Sequence, residues 1–345
     1  MKKLSILILF LILIVSCKKN EDVPNSLFLS GDGVFVVNEG NFTWGNGSLS
    51  YYSYDSAKIY NDLFYSVNGR PLGDVPNSME IKDDLAYIVV NNSGKIEVIK
   101  KSTLESVATI SGLISPRYIA FVNSSKAYIT SMYSDSLTII RLDDNSVSGY
   151  INLGRSSESI VTAGNNAFVA NWVGGSKVMV INIADDQLVD SIEVGIEPES
   201  MVIDKNNMLW VLCTGGWTKE NFAELDGINT TTDEIEKRLV FPAKQQSPGC
   251  LRIDGNGETL YYLESGVKRL DITASELPTE PFIRESGHYF YKLGINPSND
   301  DIFVTDAIDY QQKGYLFYYK SDGTLVSSQL ADIIPGLMCF KLTEN

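Results

Sequence analysis

One short pattern recurs along the chain and constrains its fold more than any other feature. In each copy, an aromatic residue stands third in a mostly apolar run that follows a polar turn. The seven runs begin at Gly33, Leu85, Lys126, Asn166, Met208, Thr259 and Asp301, with their aromatics at Phe35, Tyr87, Tyr128, Phe168, Trp210, Tyr261 and Phe303. From Tyr87 onward the aromatics are 41, 40, 42, 51 and 42 residues apart. A period of this length indicates a repeat architecture.

Each copy is part of a longer unit of short strands. The run at Leu85 is followed by a second apolar segment, Lys95–Ile99, and the unit at Asn166 ends in an outer segment, Val189–Val194. Turn residues such as Asp143–Asn145 separate the segments, and no helical periodicity is visible. Units of about 40–50 residues with four strands are typical of β-propeller blades.

The two ends of the chain determine the number of blades. The first unit lacks a first strand and begins with its aromatic second strand at Gly33, whereas the C-terminus carries one additional strand, Gly336–Lys341. We therefore predict an all-β, seven-bladed β-propeller of four-stranded blades over residues 33–345, closed by the C-terminal strand joining the N-terminal blade. The innermost strands are expected near Ile81, Phe121, Val161, Ile203, Ile253, Ile295 and Phe340. The repeated aromatics are expected to pack between blades.

The first residues are typical of a targeting segment. Two lysines precede the apolar run 4–15, which has signal-peptide length and is too short to span a membrane. The cysteine at its end, Cys17, predicts a lipoprotein: residues 1–16 are a signal peptide, Cys17 is lipidated, and residues 17–32 form a tether. The alternative is an ordinary secretory signal with a chance cysteine.

Charge and composition exclude several function classes. The chain of 345 residues has 28 Lys and Arg against 43 Asp and Glu, a net charge of −15, which argues against nucleic-acid binding. Its only histidine is His288, so histidine-based zinc sites and most serine or cysteine triads are excluded unless this residue is the base. No obvious partner for His288 is visible, and a satisfied structural histidine is the favoured interpretation.

Catalytic and metal motifs are not visible in the sequence. Asp306 and Asp309 could ligate calcium with backbone carbonyls, but no complete oxygen-ligand spacing accompanies them. Acidic pairs such as Asp143-Asp144 fall in turns, where aspartate bonds to its own backbone. We therefore expect a protein that is not an enzyme and that has no cofactor and no metal site.

The loops between the second and third strands are the predicted ligand-binding region, because in alternating strands they share one face with the connections between blades. Three of the four tryptophans and several asparagines lie in this loop set, a mixture that suits a sizeable, mostly neutral ligand with amides or hydroxyls. The alternative is that the aromatics only cap the core at strand ends. The candidate contacts are Asn38, Glu39, Phe42, Trp44, Asn91, Tyr133, Asn171, Trp172, Trp217, Asp306 and Tyr310.

Three cysteines remain after Cys17. Cys213 ends a second strand and Cys250 precedes a first strand, so both are expected near one face and a disulfide between them is possible in an oxidising compartment. Cys339, in an innermost strand, is expected to be a small buried hydrophobe.

Three segments carry a resemblance to a known family: 36–41 with Trp44-Gly45, 304–314, and 334–341 with its Ile-Pro-Gly and Phe-Lys. On these, the chain resembles the YncE-like propeller lipoproteins of Bacteroidetes, including the BtuG-type lipoproteins that capture cobalamin. The acidic residues Glu21 and Asp22 behind Cys17 also resemble, in part, the surface-export signal of such lipoproteins.

This resemblance implies a function. The protein would be lipid-anchored in the outer membrane, on the cell surface, would bind a corrinoid across the open face, and would pass it to a TonB-dependent transporter. The segment 215–225 is where divergence would change specificity. A second hypothesis is a protein- or glycan-interaction propeller without a small ligand, and a third is a calcium-dependent lactonase.

Overall fold

The computed structural model describes residues 29–343. The predicted signal peptide, the lipidation site Cys17 and most of the tether lie outside the described residues. Within the described part, α1 (Leu63–Asn68) is the only α-helix. No helix there is long and apolar enough to cross a membrane.

Strands are the main regular structure of the described chain and form seven antiparallel sheets arranged in a ring. Blade 1 contains β1 (Gly33–Asn38), β2 (Ser48–Ser53) and β3 (Lys58–Tyr60). Blade 2 contains β4 (Pro76–Lys82), β5 (Leu85–Val90), β6 (Lys95–Lys100) and β7 (Ser106–Ser111). Blade 3 contains β8 (Pro116–Phe121), β9 (Lys126–Ser131), β10 (Ser136–Arg141) and β11 (Ser146–Asn152). Blade 4 contains β12 (Ile160–Ala163), β13 (Asn166–Asn171), β14 (Lys177–Asn182) and β15 (Gln187–Glu193).

The remaining three blades complete the ring. Blade 5 contains β16 (Pro198–Ile203), β17 (Met208–Cys213), β18 (Glu224–Asn229) and β19 (Glu234–Val240). Blade 6 contains β20 (Gly249–Ile253), β21 (Thr259–Leu263) and β22 (Val267–Asp271). Blade 7 contains β23 (Phe290–Ile295), β24 (Ile302–Asp306), β25 (Lys313–Tyr319) and β26 (Leu325–Ile333). The last strand, β27 (Pro335–Lys341), returns to blade 1.

The C-terminal strand closes the ring, as predicted. β27 pairs antiparallel with β1, with Gly33 opposite Lys341 and Val34 opposite Phe340. The innermost strands β27, β4, β8, β12, β16, β20 and β23 contact one another in that order around the channel. Each contains the position expected for it from the sequence, so the seven-bladed prediction is confirmed.

The repeated aromatics are buried at the seams between blades. Seven clusters of buried apolar side chains are found among residues 29–343, and each joins one blade to the next. Trp210 of blade 5, for example, packs in the same cluster as Tyr262 of blade 6, and its Nε1 donates to Asp204 Oδ2 at 3.0 Å. The core is therefore divided among the seams, and the hydrophobic effect holds blade to blade.

Two local features depart from the four-strand, helix-free prediction. Blade 6 has three strands, and in place of a fourth strand Ile283 makes a single antiparallel bridge to Val267. The connection from blade 1 to blade 2 contains α1, which buries Leu63 and Phe64 and ends at Gly69 with φ 64°. The helix is too short to produce a visible periodicity in the sequence.

Candidate functional site

The loops between second and third strands and the connections between blades end at one side of the ring, here called the loop face. Its second-to-third strand loops are 39–47, 91–94, 132–135, 172–176, 214–223, 264–266 and 307–312. Hydrogen bonds join neighbouring segments of this face: Asn41 Nδ2 donates to the Tyr310 carbonyl of the adjacent blade at 2.9 Å, and the Thr43 amide donates to Asp74, in the connection between blades 1 and 2, at 3.0 Å. These ties give the loop face a defined shape.

Five of the predicted contacts are large exposed aromatics on this face. Trp217 is 86% exposed and Trp44 is 76% exposed, with Phe42, Tyr133 and Tyr310 also open to solvent. They come from blades 1, 3, 5 and 7. Capping of the core does not explain side chains so exposed, because capping would bury them. Exposed aromatic area of this kind is suited to contact with a ligand or partner.

Trp172 occupies an intermediate position in the blade 4 loop. Its ring is half-buried, and its Nε1–H is covered without a hydrogen-bond partner in the part of the chain described. A covered indole N–H normally has an acceptor.

The side-chain nitrogens of the predicted asparagines donate to protein partners, whereas Asn38 Oδ1 is buried and has no hydrogen-bond partner within residues 29–343. Asn38 Nδ2 donates to Ser50 Oγ at 2.8 Å, and Asn91 Nδ2 donates to Ser115 Oγ at 2.9 Å. Asn171 Nδ2 donates to the carbonyl of Ser156 at 2.9 Å. Asn38 and Asn171 are buried and Asn91 is partly buried. These amides position the loops, and a ligand would reach them only by breaking these bonds.

Asp306 and His288 form a pair that the sequence did not indicate. Asp306 is buried; its Oδ1 accepts the Ile308 amide at 2.7 Å, and its Oδ2 lies 2.9 Å from His288 Nδ1. The imidazole also packs edge-on against Phe317, with 4.6 Å between ring centroids. The expected structural histidine thus has a carboxylate partner, which lies 18 residues away in the chain.

Polar side chains surround the channel where it opens on the loop face; we call them the mouth ring. Asn77 Nδ2 donates to the Arg117 carbonyl at 2.7 Å, and Arg117 forms a bidentate ion pair with Glu158 at 2.7 to 3.0 Å. Glu199 Oε2 accepts the Cys250 amide at 2.9 Å. Each bond joins the start of one blade to the next blade, so the ring ties neighbouring blades together.

Glu39 completes the mouth ring. Its Oε1 accepts the Tyr291 hydroxyl at 2.7 Å, which links blade 1 to blade 7. Burial raises the pKa of Tyr291, and Glu39 adds to the increase while Lys292 opposes it. The predicted contact Glu39 therefore faces the channel mouth, and its second carboxylate oxygen accepts no hydrogen bond from residues 29–343, which leaves it available to a ligand.

The mouth ring also contains a cation. The Lys292 ammonium lies 4.8 Å from the centre of the Tyr291 ring and makes no ion pair among residues 29–343. Burial raises the pKa of Tyr118, with Glu158 and Glu199 adding to the increase and Lys292 and Arg117 opposing it. Both signs of charge thus meet at the mouth.

The sequence analysis did not identify most of the mouth ring, although the prolines at the start of several innermost strands mark its position. Prolines open four of the seven innermost strands, and the residue before each has positive φ: Val75, Ser115, Glu197 and Ile334. The register is irregular directly after each proline, and the residues at the irregularity include Asn77, Arg117 and Glu199. A β-bulge changes the direction in which the side chains of the bulged residues point, and here it turns them toward the channel mouth.

The possible disulfide is not present. Cys213, Cys250 and Cys339 are all free and buried. Burial raises the pKa of the Cys213 thiol and, separately, that of the Cys250 thiol, and so favours the protonated form of each. Cys339 is a buried side chain in β27, as expected. Within residues 29–343, no three His, Cys, Asp or Glu side chains come together as a metal-binding group.

Comparison with known proteins identifies a family. The family described as "Domain of unknown function (DUF5074)" matches residues 32–332. Because this match spans most of the chain, the chain belongs to the DUF5074 family. No curated protein matches it.

Solved structures share the fold. A quinonprotein alcohol dehydrogenase-like protein from Bacteroides thetaiotaomicron is similar with a TM-score of 0.70 at 16% identity, covering 90% of this chain and 79% of that one. A functionally unknown protein from Desulfotomaculum acetoxidans gives 0.67 at 14% identity, covering 91% and 100%. Virginiamycin B lyase from Staphylococcus aureus gives 0.59 at 12% identity, covering 74% and 83%. At these identities the likeness concerns the fold alone.

Proposed function

We propose that this DUF5074 protein binds a bulky, mostly neutral nutrient across its loop face, with a corrinoid as the first candidate. The observation that carries the proposal is the set of exposed aromatics Phe42, Trp44, Tyr133, Trp217 and Tyr310, which rise from four blades on one face. Aromatic faces stack on a flat macrocycle, and an open face accommodates a ligand too large for a closed pocket.

The mouth ring supports the same proposal. Beneath the aromatics lie the Lys292 ammonium, without an ion-pair partner among the described residues, and the Glu39 carboxylate, which uses one oxygen on Tyr291. A corrinoid carries amide side groups, which both donate and accept hydrogen bonds. The charged groups of the mouth can bond such amides while the aromatics contact the macrocycle.

The position of the N-terminus fits an anchored receptor that delivers to a TonB-dependent transporter. Leu29 lies beside the turn Asp83-Asp84, which joins the first and second strands of blade 2 at the end of the ring opposite the loop face. Gly31 is held there, since its carbonyl accepts Lys341 Nζ at 2.7 Å. A lipid on Cys17 at the outer membrane would therefore leave the loop face directed away from the membrane.

Titration of cyanocobalamin into the purified protein, followed by calorimetry and absorbance, tests the proposal. Binding at micromolar ligand is expected, and Trp44→Ala or Trp217→Ala should each weaken it about threefold to tenfold with little change in Tm. Tyr150→Ala is the matched control, because Tyr150 is an exposed aromatic on the outer edge strand β11 and belongs to none of the loops of the loop face. The absence of both heat and a spectral shift would rule out the corrinoid.

A protein- or glycan-interaction role is the second candidate. The observation that favours it is the exposed apolar side chains that accompany the aromatics on the loop face, namely Ile114, Val173, Phe222 and Ile308. Such side chains add to an apolar contact surface. This role predicts that a pull-down recovers an outer-membrane transporter while cyanocobalamin shows no binding.

A further inference from the structure

The lower half of the central channel contains a cavity apart from the loop face. Its volume is about 310 Å³, at the small end of the usual range for ligand sites. Most of the residues that line it are apolar and belong to the innermost strands, with Met79, Ile295, Met338 and Phe340 among them. Two charged side chains, Glu80 and Arg252, also line it.

The two charged residues lie on different walls. Glu80 belongs to blade 2 and Arg252 to blade 6, and blades 7 and 1 stand between them. They do not form an ion pair with each other. Arg252 Nη1 donates to the carbonyl of its own neighbour Leu251 at 2.7 Å, and the Glu80 carboxyl has no hydrogen bond within residues 29–343.

The electrostatics of this cavity are unbalanced without a ligand. Desolvation by the enclosing channel wall raises the pKa of Glu80 to about 7, and Arg252 opposes the increase, although the side chain itself stays accessible from the channel. A ligand in the channel can therefore reach the Glu80 side chain. A carboxylate in such a position is stabilised by a cation close to it, and a guanidinium by an anion with two oxygens. The cavity therefore offers an anionic and a cationic contact at two separate points.

We propose that this cavity binds a free amino acid with an apolar side chain. The ammonium group would bond the Glu80 carboxylate, the carboxylate would bond the Arg252 guanidinium, and the side chain would pack on Met79, Met338 and Phe340. A zwitterion satisfies both charges at once, whereas an anion would be repelled by Glu80 and a cation by Arg252. Gly294 preserves the space, because a Cβ there would lie 3.3 Å from Met338 and Phe340.

Calorimetric titration of the purified protein with L-leucine, L-methionine and L-phenylalanine tests this proposal. At least one is expected to bind at a single site. 4-Methylpentanoate and isopentylamine, which match leucine without the ammonium or the carboxylate, are expected to bind at least about tenfold more weakly. No saturable binding by any of the three amino acids, or equal binding of the two analogues, would overturn the proposal.

Variants locate the site. Glu80→Gln and Arg252→Gln should each weaken amino-acid binding about tenfold or more, with circular dichroism confirming the fold. The matched control is Glu105→Gln, whose carboxylate pairs with Lys100 on an exposed turn outside the channel. Trp217→Ala should leave amino-acid binding unchanged, so failure here is distinguishable from failure of the loop-face proposal. Binding unaffected by both channel variants would also contradict the proposal.

Discussion

At the scale of single residues, the mouth ring separates side chains that build the site from those that are free to bind. Arg117 and Glu158 are both largely buried, at 16% and 5% side-chain exposure, and each satisfies the other's charge. The Glu158 interaction raises the pKa of Arg117 against the opposing effect of burial. A buried ion pair is costly to break, since one charge is then left without its partner.

Glu158→Ala should therefore destabilise the protein by about 3–5 kcal/mol. Equilibrium unfolding in urea measures the change. Glu105→Ala is the matched control, because its pair with Lys100 is exposed, and it should change the unfolding midpoint little. Equal effects of the two variants would show that Arg117 does not depend on Glu158.

Glu80 makes stability depend on pH in a defined direction. Desolvation by the channel wall raises its pKa from 4.5 to about 7, so folding favours the protonated form; because the side chain is exposed to the channel, solvent reduces the size of this effect. The contribution is favourable below about pH 4.5 and is lost as the pH rises through 7. The Tm of Glu80→Gln minus the Tm of the parent protein should therefore be larger at pH 8 than at pH 5. A Tm difference that is the same at both pH values would contradict this.

At the scale of elements, the closing strand β27 determines whether the ring has an edge. It covers β1 over most of that strand's length, from Gly33 opposite Lys341 to Asn38 opposite Pro335. Without it, β1 would present unpaired backbone groups, which invite pairing with another chain. It also contributes Cys339 to the core between blades 1 and 2.

Truncation after Ile334 should therefore lower Tm and produce dimers or aggregates on size-exclusion chromatography. The matched control ends after Lys341, which keeps every β27 pair. A monomeric truncation product with the parent Tm would mean that the ring does not need this closure.

At the scale of the whole molecule, the two proposed sites lie at different depths along one axis. The loop face carries the exposed aromatics, and the chain enters at the opposite end beside Asp83-Asp84. The channel cavity with Glu80 and Arg252 lies between them. A ligand on the loop face and an amino acid in the channel would contact different residues, so the two binding measurements can be made independently.

The sequence by itself determined the architecture, because the hydrophobic pattern of each strand and the turns between strands are local. The period of the aromatics predicted seven seams, and the spare strand at 336–341 predicted the closure; both are confirmed. The absence of a fourth strand in blade 6 was not predicted, because one bridge at Ile283 leaves no pattern in the sequence. The exposed tryptophans Trp44 and Trp217 were placed correctly on the loop face.

Only the tertiary structure decided which polar residues are occupied. In the sequence, Asn38 and Asn171 look the same as asparagines that bind a ligand. In the structure, their side-chain amides donate hydrogen bonds to neighbouring strands and loops. The pairs Arg117–Glu158 and His288–Asp306, and the opposed charges of Glu80 and Arg252, join residues 41, 18 and 172 positions apart. Such partners are set by ring closure and by bulges at the innermost strands, which act across blades; the prolines that open four of these strands mark the bulges in the sequence but do not identify the partners.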